Sequence, residues 1–122
     1  MDREAAAGGP IVRGFAGTGF RLDEDVIHRA VLLTPDTASA WDPPALADLT
    51  LDTLGALIAD GPEFLLLGTG AALVHPPAAL VHALDARGIG VEAMDSRAAA
   101  RAWGVLRGEG RMIGAALYPL DV

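Results

Sequence analysis

The chain has 122 residues, of which 9 are basic and 16 acidic, so its formal net charge is −7, and it contains no cysteine. A chain of this length is expected to form one compact domain without help from disulfides or a structural metal. The missing cysteines exclude thiol nucleophiles and iron–sulfur clusters, and the acidic balance argues against nucleic acid as a partner.

Neither a membrane span nor a secretory signal is predicted. The longest apolar runs, residues 64–67 and 113–117, are far shorter than the ~20 residues that cross a bilayer. Residues 1–10 are small, polar and rich in glycine, and we expect them to form a flexible leader before one domain at residues 11–122. These patterns predict a soluble, cytoplasmic protein.

The first half of the domain is predicted to consist mainly of strands. Short apolar or β-branched runs between turn signals mark three of them. These strands lie at residues 11–15, 19–22 and 26–33. Prolines and other turn residues then make residues 36–47 a loop. Thr50 is a candidate N-cap for the first helix, which ends at Gly61 and Pro62.

The second half of the sequence alternates between strands and helices. Apolar runs predict strands at residues 63–67, 89–94 and 112–117. One helix is expected to have Pro76 and Pro77 in its first turn and to end at Gly88. Another helix is predicted over residues 97–107, where Asp95 and Ser96 precede the first turn.

This order of elements favours an α/β fold. A strand–helix–strand unit over residues 63–94 requires two parallel strands joined by a right-handed crossover. We therefore predict a single three-layer α/β/α domain with a mixed, partly parallel central sheet. The final strand, at residues 112–117, could lie at an edge of this sheet and pair between chains, so we expect a monomer or a homodimer.

A candidate ligand site follows two neighbouring strands of the predicted sheet. Gly68, Thr69 and Gly70 come directly after one buried strand, and Asp95 and Ser96 follow the next. The carboxyl ends of parallel strands meet at one edge of a sheet, where ligands collect in α/β proteins. The glycines would let backbone N–H groups approach an anion, but the chain lacks the lysine of a phosphate-binding loop.

A structural interpretation of the same residues stays open beside the functional one. The glycines could form a tight turn that passes close to neighbouring backbone, and Asp95 or Ser96 could cap the following helix. In the functional alternative, Asp95 would orient a ligand or act as an acid or base.

Three side chains are candidate contacts with a partner protein. Arg97 and Arg101 are four residues apart and therefore share one helix face, where they could bind an acidic patch or simply face solvent. Trp41 lies in the proline-rich loop and either anchors that loop or contacts a partner. Trp103 is surrounded by apolar residues of its helix, and we expect it to pack inward.

No catalytic residues, metal site or cofactor site are predicted. The histidines His28, His75 and His82 lack the spacing of a metal-binding set. The sequence has neither a nucleophile elbow nor a diagnostic set of Asp, His and Ser. No pair of carboxylates stands out as an acid–base pair.

Several segments together resemble the Mth-type domain family. Residues 64–70 are similar to its strand followed by a Gly-Thr-Gly signature, and residues 88–96 and 110–111 fit the rest of the pattern. Residues 31–35 and the following Trp41 fit as well. The family includes an assembly factor of mitochondrial NADH dehydrogenase (complex I), the adipogenesis-associated Mth-domain protein and many uncharacterised bacterial and archaeal proteins.

The resemblance implies the three-layer α/β/α fold with a mixed sheet and no established enzymatic activity. Its best-described members act through protein partners during assembly of a membrane complex. The chain departs from the family at Ala102, Trp103 and Gly104, where a Thr-Tyr-Asn-like segment is usual, so polar groups that could line the strand-end crevice are missing. We therefore expect a bacterial, non-enzymatic protein-interaction or assembly-type domain. The alternative is a domain that binds a small molecule or anion in that crevice, with or without catalysis.

Overall fold

The strands of the protein form two separate sheets in the computed structural model, which describes residues 9–23 and 26–122. The strands are β1 (Gly14–Ala16), β2 (Gly19–Asp23), β3 (Val26–His28), β4 (Val31–Leu33), β5 (Ala38–Ala40), β6 (Phe64–Gly68), β7 (Gly90–Met94) and β8 (Gly114–Leu117). Strands β1, β2 and β3 form an antiparallel meander. The other five form the central sheet, in the order β5-β4-β8-β6-β7.

Helical segments connect the strands of the central sheet. They are two 3-10 turns, at Leu46–Asp48 and Asp52–Leu54, and the helices α1 (Gly55–Ile58), α2 (Ala78–Asp85) and α3 (Ser96–Gly108). Helix α2 links the parallel strands β6 and β7, as the predicted crossover requires. The chain leaves α2 through Gly88, whose φ of 74° is the left-handed conformation expected of a glycine that ends a helix.

The central sheet is mixed, as predicted. Strand β6 pairs in parallel with β7 and β8, whereas β4 runs antiparallel to β5 and β8. The expected edge position of the final strand is wrong, because β8 lies between β4 and β6. Every residue of β8 is buried, which is typical of a strand covered on both faces. A homodimer built on an edge position of this strand is therefore ruled out, and the oligomeric state stays a prediction.

Side chains of the central sheet alternate between two apolar cores, one on each face. Leu66 of β6 points to the core that α3 and the meander cover, whereas Leu65 and Leu67 point to the core that α1 and α2 cover. The sheet is thus sandwiched between two layers that contain helices. This arrangement confirms the predicted α/β class with a mixed, partly parallel sheet.

The strand predicted over residues 26–33 is in fact two strands of different sheets. Strand β3 pairs with β2 in the meander, and β4 pairs with β5 and β8 in the central sheet. The break falls at Arg29 and Ala30. The run is interrupted only by His28 and Arg29, and both halves have the same preference for extended backbone, so the pattern predicts one strand.

Strand β5 lies inside the loop predicted over residues 36–47, so that part of the prediction is wrong. The Thr34 N–H donates to the Thr37 carbonyl, and the Thr37 N–H donates to Thr34 Oγ1, both at 2.9 Å. Pro35 and Asp36 occupy the corner of this tight turn, as their turn preference allows. The chain then returns antiparallel to β4 as Ala38–Ala40, residues whose low strand propensity concealed the hairpin.

Two predicted helix starts are also wrong. Thr50 does not cap a helix: its hydroxyl lies 3.2 Å from that of Thr53, a 3-10 turn follows, and α1 is a single turn that begins at Gly55, a poor helix former. Pro76 and Pro77 precede α2 instead of forming its first turn. The residue before a proline is driven to extended backbone, so the helix cannot begin at Pro76.

Trp103 packs inward, as predicted. Its side chain is fully buried in the core between α3 and the central sheet. Its Nε1–H donates to the Pro10 carbonyl at 2.8 Å, which ties the chain before β1 to the domain. Residues 1–8 of the predicted leader lie outside the described residues.

The Trp103 side chain gives the first test of this packing. Trp103→Ala is expected to lower the free energy of unfolding by about 3–5 kcal/mol, because it removes the largest buried side chain of its core. Trp103→Phe should cost less, since it keeps most of the volume and loses the hydrogen bond. Urea unfolding followed by circular dichroism measures both changes.

Val105 provides the control on the same helix. Its side chain is 62% exposed, so Val105→Ala should change the unfolding free energy by less than about 0.5 kcal/mol. Equal losses from Trp103→Ala and Val105→Ala would contradict the described core.

Candidate functional site

The structure brings together the two halves of the predicted strand-end site. Strands β6 and β7 end level with each other, with Gly68 opposite Met94. The residues that follow them are joined directly: the Ser96 N–H donates to the Gly70 carbonyl, and the Gly70 N–H donates to Ser96 Oγ, both at 2.8 Å. The predicted proximity of these residues is therefore correct.

The Ser96 hydroxyl joins a third segment to this pair. It donates to the Tyr118 carbonyl at 2.7 Å while it accepts the Gly70 N–H, and Ser96 is fully buried. The Ala71 N–H also donates to the Val122 carbonyl at 2.9 Å. The space beyond the strand ends is thus filled by the chain that follows β8.

Glycine is required at positions 68 and 70 because neighbouring atoms approach closely. A Cβ at Gly68 would lie 2.9 Å from the Ser96 Cα, and a Cβ at Gly70 would collide with the Val122 carbonyl. Gly70 also has a φ of 112°, a backbone conformation that residues with a side chain rarely adopt. These contacts support the structural interpretation of the turn.

Thr69 uses its hydroxyl within the turn. Its Oγ1 donates to the Ala72 carbonyl at 2.6 Å and accepts the Val74 N–H at 3.0 Å. The residue is 2% exposed. A ligand at this position would have to displace one of these partners.

Asp95 caps helix α3, and this part of the prediction is confirmed. Its Oδ1 accepts the Ala98 N–H at 2.9 Å. Ser96 is instead the first residue of the helix, and its hydroxyl bonds to the segments that follow β6 and β8. Ligand binding by residues 68–70, Asp95 and Ser96 stays a prediction. The hydroxyl groups of Thr69 and Ser96, which a ligand would need, already bond to backbone groups of the chain.

A second cluster lies where α3 meets the meander, and we name it the arginine groove. It consists of Arg13 and Phe15 from the start of the meander and Arg97 and Arg101 from α3. Arg13, Phe15 and Arg101 line a cavity of about 180 Å³. The Arg97 guanidinium lies over the Phe15 ring, 5.2 Å from its centroid, a cation–π contact that holds it at the rim. Both predicted partner-contact arginines thus belong to one surface.

The charges of the arginine groove are not neutralised by the described part of the chain. No described carboxylate forms an ion pair with Arg13, Arg97 or Arg101. Arg111, by contrast, lies 2.8 Å from a carboxylate oxygen of Glu63, and this hydrogen bond lowers the pKa of Glu63. The described residues therefore place three arginines of this groove on one surface without a carboxylate partner among them.

Trp41 lies on the other face of the sheet and anchors its loop. Its ring meets the Tyr118 ring edge to face, with 5.4 Å between the centroids, and its Nε1–H donates to the Leu117 carbonyl at 3.4 Å. The three predicted partner contacts therefore do not form one surface. A contact between the half-buried Trp41 and a partner stays a prediction.

Tyr118 is a residue that sequence reasoning missed. Its hydroxyl donates to the Pro44 carbonyl at 2.9 Å. Burial, with a smaller contribution from the Asp48 carboxylate, raises the pKa of Tyr118 to about 12. The signal was present, since Tyr118 is the one tyrosine of the chain and directly follows the last strand.

Residues 9–23 and 26–122 contain neither a membrane-spanning helix nor a cluster of metal-ligating side chains. No helix in these ranges is long and apolar enough to cross a membrane. Nor do any three histidine or acidic side chains there lie close enough together to hold a metal ion.

Comparison with known proteins relates this arrangement to a family. The family described as "Protein of unknown function (DUF498/DUF598)" matches residues 12–118, which include the whole central sheet. The chain belongs to this family.

Several known proteins are similar to this chain over most of its length. An uncharacterized protein of Rhodobacter capsulatus is 35% identical over 97% of this chain and 92% of its own length. The NADH dehydrogenase (ubiquinone) 1 alpha subcomplex assembly factor 3 of Danio rerio is 29% identical over 98% of this chain and 69% of its own length. The solution structure of a Mth938-like domain from Bordetella pertussis matches with a TM-score of 0.80 and 28% identity, over 99% of this chain and 91% of that one. The resemblance to Mth-type domains is confirmed.

Ser96→Ala tests the hydrogen bonds at the strand ends. The substitution leaves the Gly70 N–H and the Tyr118 carbonyl buried without a partner, so we expect the free energy of unfolding to fall by about 3 kcal/mol. Ser39→Ala is the matched control, because Ser39 is exposed on β5 and should tolerate alanine within about 0.5 kcal/mol. A loss at Ser96 no larger than the loss at Ser39 would show that the hydroxyl does not hold these segments.

Tyr118 gives a pH-dependent test, because tyrosinate absorbance in this chain reports on that residue alone. The folded protein should titrate near pH 12, and the urea-unfolded protein near the ordinary pKa of 10.0. Because folding raises the pKa of Tyr118, the folded state favours the neutral phenol. This contribution to the free energy of unfolding is complete below pH 10.0 and is lost as the pH rises through about 12.

Asp48→Asn is the companion variant for this titration. It removes the second cause of the shift and should lower the folded-state midpoint slightly, while leaving the midpoint of the unfolded protein unchanged. Identical midpoints in the folded and unfolded wild-type protein would contradict the buried position of the phenol.

Proposed function

We propose that this chain is a non-enzymatic protein-interaction domain of the assembly-factor type, and that it binds an acidic surface of a partner protein through the arginine groove. An assembly factor of NADH dehydrogenase is 29% identical to this chain, which supports an assembly-type role. The cytoplasm is the compartment in which we propose that this domain acts.

The arginine groove is the observation that carries this proposal. The chain has a net charge of −7, so carboxylates are plentiful for neutralising its arginines. Arg13, Arg97 and Arg101 nevertheless form no ion pair with a described carboxylate. A guanidinium presents a planar fork of donors that matches a carboxylate, and arginine is enriched at protein interfaces. An acidic surface is therefore the partner chemistry that this groove fits.

The aromatic ring inside the groove adds a second reason. Phe15 is half-buried, and its contact with the Phe20 ring, 6.1 Å between centroids, ties it to the core. Arg97 stacks on the exposed side of this fixed ring. The guanidinium is therefore ordered before a partner arrives, which lowers the entropy lost on binding.

The alternative function, binding of a small molecule or anion at the strand ends, receives less support. Its candidate residues Thr69 and Ser96 are buried, and their hydroxyls are bonded to backbone groups of the chain itself. Gly68 and Gly70 have a packing reason to be glycine. The arginine groove, in contrast, is open and carries charge.

Charge reversal at Arg101 tests the proposal. Partners would be captured by tagged protein from cells of the source organism, cross-linked and identified by mass spectrometry, and the affinity of the recovered partner would then be measured. Arg101→Glu should weaken binding about tenfold, because it replaces attraction by repulsion at a residue that lines the cavity of the groove. Binding of the wild type should also weaken as salt rises.

Arg87→Glu is the matched control. Arg87 is exposed in the connection between α2 and β7, away from the groove, and its reversal changes the net charge by the same amount. We expect this variant to bind like the wild type. The proposal fails when both reversals weaken binding equally, or when the purified chain converts a metabolite and captures no specific protein.

A further inference from the structure

Strand β7 is an open edge of the central sheet. Within residues 9–23 and 26–122 it pairs with β6 on one side only, and the sheet order ends with it. The opposite edge, β5, has three residues, whereas β7 has five. An open edge presents N–H and C=O groups that can pair with another chain, and proteins commonly shorten or cover such edges. Strand β7 is thus the longer of the two edges, and no described strand pairs with its free side.

The direction of the free backbone groups on β7 follows from one hydrogen bond. The Thr69 N–H donates to the Met94 carbonyl at 2.9 Å, so the backbone of Met94 faces β6. Alternate residues of a strand direct their N–H and C=O groups to opposite sides. Val91 and Ala93 therefore direct theirs away from β6, and no hydrogen bond within the described residues uses them.

An apolar groove runs beside this edge, and we name it the β7 groove. It lies between α2 and the start of β7, has a volume of about 460 Å³, and is lined by apolar groups that include Pro76, Val81, Ile89 and Val91. Val81 is 38% exposed. A strand added beside β7 would place every second side chain over this groove, as the period of an extended chain dictates.

The charges around the edge define what the occupant must carry. Asp85 lines the β7 groove together with His75 and His82, and no arginine does, so its one permanently charged side chain is acidic. Glu92 is exposed on the other face of β7, because it is paired with Leu66, whose side chain faces α3. The occupant must therefore offer apolar side chains toward the groove and positive charge toward Glu92.

We propose that the β7 edge binds an extended segment of a partner protein by strand addition, and that this segment alternates apolar and basic residues. Backbone hydrogen bonds to Val91 and Ala93 supply affinity, and the two faces of the segment supply specificity. A second copy of this chain fits less well, because pairing of two β7 edges gathers Asp85 and Glu92 of both copies at one interface. The β7 groove and the arginine groove lie on opposite faces of the sheet and share no residue, so the two proposals rest on different observations.

Nuclear magnetic resonance on the whole chain tests the proposal with a synthetic probe. The probe is a capped peptide of alternating valine and lysine as long as β7, and its counterpart carries glutamate in place of lysine. The lysine peptide should shift the amide signals of Val91 and Ala93 and protect them from hydrogen exchange. The glutamate peptide should leave both amides unchanged.

Glu92→Lys and Glu109→Lys are the matched variants. Both glutamates are exposed, but Glu109 lies at the far end of α3. Glu92→Lys should weaken binding of the lysine peptide about fivefold, and Glu109→Lys should not. Arg101→Glu should also leave peptide binding intact, which separates this test from the one above.

Three results would overturn the inference. The first is that neither peptide moves the Val91 and Ala93 amides, and the second is that both peptides bind equally well. The third is protection of these amides without any peptide, together with a mass that doubles as the concentration rises. That last result would assign the β7 edge to a second copy of the chain.

Discussion

The Ser96 hydroxyl is the contact on which the end of the central sheet depends. It joins the turn after β6, the start of α3 and the segment after β8, three parts of the chain that are distant in sequence. Because Ser96 is fully buried, both bonds form without competition from water, and neither can be given up cheaply. The position of α3 follows from this link, and so does the direction in which Arg97 and Arg101 leave the domain.

Because residues of the chain itself fill the space beyond the strand ends, a binding surface has to lie elsewhere on the domain. In many α/β proteins the edge formed by the carboxyl ends of parallel strands holds a ligand. Here the same edge holds the chain's own residues 118–122, and the glycines around Thr69 are explained by backbone packing. Surfaces for other molecules then have to be sought on the outer layers, where the arginine groove and the β7 groove lie.

Sequence patterns were sufficient for features that depend on neighbouring residues. The crossover from β6 through α2 to β7, the Asp95 cap and the burial of Trp103 all follow from local periodicity and capping chemistry. Some failures are local: β5 lies in a predicted loop, and neither Thr50 nor Pro76 begins a helix. The other failures concern pairing between distant segments. The break between β3 and β4, the central position of β8, and the meeting of Arg13 with Arg101 depend on which strand packs where, and a single sequence carries no direct signal for that.

The two proposed surfaces differ in charge as well as in position. The arginine groove is basic and lies on the face that α3 covers, whereas Asp85 and Glu92 make the β7 edge acidic. Under the two proposals, a partner that binds both surfaces presents an acidic patch and a basic extended segment. Once one of these features is bound, the other is held close to its own surface. Its effective concentration there rises without any catalytic group. In the two proposals taken together, the central sheet separates the two surfaces, and the buried link at Ser96 joins the segments at one end of that sheet.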